Sequence, residues 1–214
     1  MPLDTVNVTP RVISASLVAP PQPLYEQQAL RLLFSDVSLP NQLPLFASNP
    51  DGGATLSNPA LQRHLQIAPG LRQVQLNVEL SAQRTAAELV ALLQQTHARF
   101  PVEHYLAAAI SLISHIPLSA ETASALMERA VFKQPAALDM LGPGRVAAGI
   151  RVILAGAGQT FITLEPLVGD PGVLLLQVVE NTNGPLHLNE VAGRIESILR
   201  YNDNQLRQFV GQIL

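Results

Sequence analysis

The segment Arg145 to Glu180 constrains the chain most. Apolar residues alternate there in three short runs, broken by Gly156-Ala157-Gly158 and by Gly169-Asp170-Pro171-Gly172. A two-residue period bounded by glycine turns predicts an antiparallel meander. Val146, Ala148, Ile150, Val152 and Leu154 fall on one face, and Ile162, Leu164, Val173, Leu175 and Val179 continue it. The second face carries Ile153, Phe161, Leu174, Leu176 and Val178 beside Arg151, Thr163 and Glu165. Water does not favour so much apolar surface, so the pattern predicts an interaction face there. Arg151 and Glu165 are expected as a diagonal cross-strand pair. Pro166 cannot donate to a ladder, so the middle strand must bulge or stop there. Asn183-Gly184-Pro185 reads as the end of the sheet, with Asn189 placed to cap a final helix.

That helix carries Val191, Ile195, Ile198, Leu206, Phe209 and Ile213 on one stripe, with Asn202 inside it. Asn202 has two readings: a break between two helices, or a polar position that fixes register in a helix–helix contact.

Upstream, Arg11 to Val18 alternates as a strand with Ile13, Ala15 and Leu17 inward. Tyr25, Ala29, Leu32 and Leu33 recur at helical spacing. Val37 to Pro59, with four prolines and Gly52-Gly53, reads as a long loop, either poorly ordered or a flap over a binding site. Leu71 to Leu80 is the cleanest strand, with Val74, Leu76, Val78 and Leu80 on one side and Gln73, Gln75, Asn77 and Glu79 on the other. Thr85 and Glu88 have capping-box spacing ahead of a helical stripe at Leu89, Leu92, Leu93, Thr96 and Phe100, which Pro101 ends. His104 to Ile116 is apolar on both faces, as in a central strand. A second helix begins near Ser119, and Ala136 to Gly144 reads as a turn-rich connector.

The fold class expected is therefore one α+β domain over residues 1–214, with a largely antiparallel sheet of about six strands and helices packed mainly on one face. The 48% apolar and 14% charged residues exclude a disordered chain. The 13 basic residues never cluster, and aromatics are 4%, so nucleic acid is not expected as a partner. The start Met1-Pro2-Leu3-Asp4 is no signal peptide, and no run suits a membrane span. Zero cysteines remove thiolate metal sites and disulfides, and a cytoplasmic setting is expected.

The order of elements resembles a sporadically distributed family of uncharacterised bacterial proteins. Its members pass from a strand and helix to a strand with an Arg-Tyr-Ile-Asn-like signature, then to hairpin strands and a C-terminal helix. The counterparts here are Leu71 to Phe100, Ala109 to Leu118 and Arg145 to Leu214. At the signature this chain reads Ile110-Ser111-Leu112-Ile113-Ser114-His115-Ile116, so no residue role carries over. The resemblance implies a fold and no activity.

Chemistry-bearing motifs are sparse. Gly142-Pro143-Gly144 and Gly156-Ala157-Gly158 lead toward strands, whereas a phosphate cradle needs a helix N-terminus. His104 and His115 would lie on opposite faces of one strand about 35 Å apart. His187 and Glu190 could share a helical face, but two ligands do not make a zinc site. No Gly-x-Ser-x-Gly elbow is present. The expectation is a non-catalytic domain without a cofactor or metal that associates with itself or another protein, through a face holding Ile153, Phe161, Leu174, Leu176, Val178 and Asn202. The alternative is a small-ligand binder or unrecognised enzyme, with the 37–59 loop covering a cleft that holds at least two of His97, His104, His115, Arg151 and Glu165.

Overall fold

A computed structural model describes residues 6–131, 148–156 and 158–213. In chain order the elements are β1 (Thr9–Val18), α1 (Gln27–Val37), β2 (Leu45–Ser48), β3 (Ala54–Asn58), β4 (Arg63–Ala68), β5 (Leu71–Asn77), α2 (Ala82–Arg99) and β6 (Tyr105–Pro117). Then follow α3 (Ala123–Val131), β7 (Ile150–Ala155), β8 (Gln159–Pro166), β9 (Val173–Leu186), α4 (Leu188–Tyr201), a π-helical segment Asn202–Leu206, and α5 (Arg207–Ile213). The expected connector Ala136–Gly144 and the start of the meander at Arg145–Ala147 lie outside the described residues.

All strand pairs are antiparallel, in the order β2-β3-β4-β5-β1-β6-β9-β8-β7. The class is α+β with one antiparallel sheet, but the described residues form nine strands of it where about six were expected. Part of the excess comes from residues 37–59, which are not a long loop: β2 and β3 form a hairpin there. The glycines that read as loop breakers make its turn. Gly52 has φ +78°, and a Cβ on Gly53 would stand 2.0 Å from the Ile67 carbonyl oxygen.

The order has an internal symmetry that the sequence does not display. β1-α1-(β2 to β5)-α2 is followed by β6-α3-(β7 to β9)-α4. The halves meet where β1 pairs with β6, Ser14 opposite Ser111. Outward from that pair, β5 corresponds to β9, β4 to β8 and β3 to β7, while β2 has no counterpart among the described residues.

Alternation decides the core. Ile13, Ala15 and Leu17 of β1, Val74 and Leu76 of β5, and Ile110 and Leu112 of β6 are fully or almost fully buried, while their neighbours in sequence are half-exposed. The buried side meets the helices at named contacts. Arg63 of β4 is buried and bonds Glu88 of α2 at 3.2 Å, and the Tyr105 hydroxyl of β6 lies 3.5 Å from Nδ1 of His97 on α2. Ser114 of β6 donates to Asn202 at 3.2 Å.

All three predicted helix starts shift, α3 beginning at Ala123 rather than near Ser119, with the Thr122 hydroxyl accepting from the Ala125 N–H at 3.3 Å. Ser81, not the Thr85–Glu88 box, caps α2, its hydroxyl accepting from the Arg84 N–H at 3.1 Å; Glu88 faces Arg63 and Arg84 instead. α4 is capped at His187 rather than Asn189, the Glu190 carboxylate accepting from the His187 N–H at 2.7 Å. The sheet does not close at Asn183-Gly184-Pro185: β9 runs to Leu186, with Gly184 taking φ +109°. In α1 the buried residues are Leu30, Leu33 and Val37, whereas Leu32 is exposed. Pro166 ends β8, as its missing N–H requires.

A buried cation ties the first half together. Arg72 is 1% exposed and has no carboxylate partner among the described residues. Its guanidinium donates to the carbonyls of Ala68 at 2.5 Å, Leu71 at 2.9 Å and Phe100 at 3.5 Å, and to the Tyr25 hydroxyl. Phe100 is the C-cap of α2, where orphan carbonyls favour a positive charge.

Candidate functional site: the half-exposed face and outer edge of the sheet

The register carries two unbroken rows across the half-exposed face. One is Leu45-Ser57-His64-Gln75-Ser14-Ser111-Val179-Phe161-Ile153, from β2 to β7. The next is Ala47-Thr55-Gln66-Gln73-Ser16-Ala109-Asn181-Gln159-Ala155. Neither row holds an Asp, Glu, Lys or Arg. Nine strands at the usual spacing make each row about 38 Å long. Charge enters only in the flanking rows, with Arg151 beside Thr163 and with Glu165 beside Leu175.

The six residues expected to form an interaction face do not share one. Val178 pairs with Ile162, Leu176 with Leu164 and Leu174 with Pro166, so all three lie on the buried side, at most 1% exposed. Asn202 is also buried, its amide oxygen accepting from Ser114. Only Ile153, 58% exposed, and the half-exposed Phe161 lie on the open side, joined by Val173, Leu175 and Val179. The error is one residue of register in β9, and with a period of two that turns every side chain over. Both parities of Val173–Val179 are apolar, so pattern alone could not choose between them.

Asn202 fits neither expected reading. The helix does not break; it passes through a π-helical segment, and Asn202 at its start bonds Ser114 of the sheet rather than another helix.

Arg151 does not reach for Glu165. Its guanidinium lies 4.8 Å from the centroid of the Phe161 ring, its other diagonal neighbour. His115 and Glu165 both flank Leu175 on the half-exposed face, two strands apart. Burial holds the His115 pKa below its usual value, the positive charge of Arg11 adds to this, and Asp170 opposes it. Burial likewise lowers His64. His97 sits apart on α2 against Tyr105, whose own pKa burial raises.

A cleft of about 490 Å³ lies between α2 and α4, but it holds none of His97, His104, His115, Arg151 and Glu165. Its floor is Ala86, Ile195 and Leu199, its walls include Ala87, Val90 and Ala91, and Glu196, Arg200 and Asp203 stand at the rim. The 37–59 segment does not line it. Among the described residues no group of three or more His, Asp or Glu could hold a metal ion, and no helix is long and apolar enough to cross a membrane.

The outer edge is the second feature that sequence reasoning missed. β7 has no neighbour beyond it in the sheet order among the described residues. Leu154 and Ile153, 41% and 58% exposed, stand on its two faces. Among the described strands only the sheet order makes Ile150-Arg-Val-Ile-Leu-Ala155 outermost.

No protein-family model matches the sequence, and no curated protein matches it. Among solved structures the chain is similar to Methanococcus jannaschii TBP at 8% identity, over 91% of this chain and 96% of that one, with a TM-score of 0.36. A likeness of that size supports no transfer of fold or function.

Proposed function

We propose that this chain is a non-catalytic interaction domain that self-associates, with its helices packed on the buried face of the sheet and the other face left for contact. The observation that carries this reading is the pair of rows without ionised side chains. A second copy presents the same neutral rows, so bringing the two together costs no like-charge repulsion and little ion desolvation. The two rows, about 38 Å long and about 14 Å deep, cover roughly 500 Å² per copy, so a standard interface of about 800 Å² also takes in part of a flanking row. A polyanion finds no cation along the two rows, which favours a protein partner over nucleic acid.

Light scattering tests the reading. A self-associating chain gives a mass above 23.0 kDa. Because the contact is uncharged, that mass persists between about 0.1 and about 1 M salt. A single 23.0-kDa species at every concentration overturns it.

The cleft between α2 and α4 supports a second reading, a small-ligand binder. Its volume of about 490 Å³ lies within the range of ligand sites. Native mass spectrometry would show a retained small molecule on the wild type and none on Ala87→Leu, which fills the cleft. A wild type that carries nothing and binds no apolar dye removes this reading.

A further inference from the structure

We propose that the cleft between α2 and α4 binds a primary aliphatic amine, with its ammonium on the Asp203 carboxylate and its alkyl chain along the apolar floor. The inference rests on the small-ligand reading of this cleft and adds the class of ligand.

The shape selects a chain. The cleft follows α2 from Gln83 to Gln94, a length of about 16 Å. Ile195 and Leu199 are buried beneath it, and the alanines at 86, 87 and 91 fill little of the space against α2. No aromatic ring lines the cleft, so neither a stacked base nor a quaternary ammonium finds its usual partner. A flexible aliphatic chain meets apolar surface along the floor.

The rim selects the head group. Two carboxylates, Glu196 and Asp203, stand against one guanidinium, Arg200, so the rim is net negative. Their spacing, i,i+4 and i,i+3, would let Arg200 pair with either. Among the described residues it pairs with neither and bonds only the Ser197 hydroxyl, at 3.3 Å. Both carboxylates are therefore open to a cation from outside.

Asp203 is the better placed of the two. It is half-buried where Glu196 is exposed, so water screens its charge less. Gln83 reaches across from α2 to donate to Asp203 Oδ2 at 3.5 Å, and Asn202 donates to Oδ1 at 3.4 Å. Asn202 is itself buried and held by the Ser114 hydroxyl of β6 at 3.2 Å. It begins the π-helical segment, an irregularity frequent at functional sites, and here the irregular turn carries the carboxylate at the end of the cleft. With its Nε2 committed to Asp203, Gln83 keeps its amide oxygen as a further acceptor. A primary ammonium brings three N–H donors to these oxygens, which no alcohol or carboxylate can do.

Four ligands that share one chain test the head group: octylamine, octan-1-ol, octanoate and octyltrimethylammonium. Each is titrated into the full chain by calorimetry at about pH 7, where carboxylates are ionised and amines protonated. The amine should bind on the order of fivefold more tightly than the alcohol, and the other two no more tightly than the alcohol. Asp203→Asn should bring the amine down to the alcohol and leave the alcohol unchanged, whereas Ala87→Leu should abolish both. The preference for the amine should shrink between about 0.1 and about 1 M salt, a readout on the wild type that stands even if Asp203→Asn does not fold. An amine bound no better than the alcohol, a preferred carboxylate or trimethylammonium, or a preference that survives Asp203→Asn or high salt overturns the ammonium site. Alcohol binding that Ala87→Leu abolishes would then leave the small-ligand reading standing. A chain that binds none of the four removes both.

Discussion

Replacing Arg72 by Met tests whether a buried cation without a carboxylate stabilises this fold. Methionine keeps the length and packing of the side chain but removes every donor. The carbonyls of Ala68, Leu71 and Phe100 and the Tyr25 hydroxyl then lose their contacts, at 2.5, 2.9, 3.5 and 2.5 Å. A buried polar group left unsatisfied costs about 1–3 kcal/mol. The two shortest carbonyl contacts lie at the β4–β5 turn, and the longest contributes least. Allowing one or two orphaned acceptors, and relief of the desolvation that Arg72 itself suffers, the net loss should be about 2–4 kcal/mol. For a chain of 214 residues that lowers Tm by on the order of 10 °C. Urea denaturation followed by circular dichroism should show a lower midpoint with an unchanged slope. Arg72→Lys should recover less than half of the loss, because one ammonium cannot serve acceptors spread around a planar guanidinium. An Arg72→Met protein as stable as the wild type, or more so, would refute the reasoning. It would mean that desolvation of the guanidinium outweighs its cage of acceptors.

Three further outcomes are expected. His64 and His115 have folded pKa values below the usual 6.5, chiefly through burial. Below pH about 6.5 the unfolded chain therefore binds protons that the folded chain resists. Their contribution to stability is complete above that pH and is lost as pH falls toward and through the folded values; His64→Gln with His115→Gln should flatten the dependence of the urea midpoint between about pH 7.5 and about pH 5. A double-mutant cycle of Ser114→Ala and Asn202→Ala should give a coupling of about 1 kcal/mol, and additivity would mean that the 3.2 Å bond is not formed. Gly53→Ala should cost about 2 kcal/mol or more, since its Cβ would meet the Ile67 carbonyl at 2.0 Å; a neutral result would place the β2–β3 hairpin elsewhere.

The sequence by itself determined the local alphabet of this protein. Period-two alternation identified β1 and β5, an apolar run on both faces identified β6, and helical spacing identified α2 and the C-terminal helix, because burial writes itself into residue order. The scarcity of ionised groups on the half-exposed face was likewise legible in a 14% charged composition. Tertiary structure decided the rest. In β9 both parities are apolar, so the sequence could not say that Leu174, Leu176 and Val178 face inward; the pairing of β9 with β6 and β8 did. Gly52-Gly53 looked like loop, because the prolines around them obscured a short β2–β3 hairpin that pairs in turn with β4. Asn202 acquired its role from Ser114, 88 positions earlier. The β1–β6 junction, which makes one sheet of two similar halves, joins strands separated by α1 and α2. Periodicity records whether a residue has an inside and an outside. Which strand lies alongside, and which edge is left open, depends on contacts that no window of sequence contains.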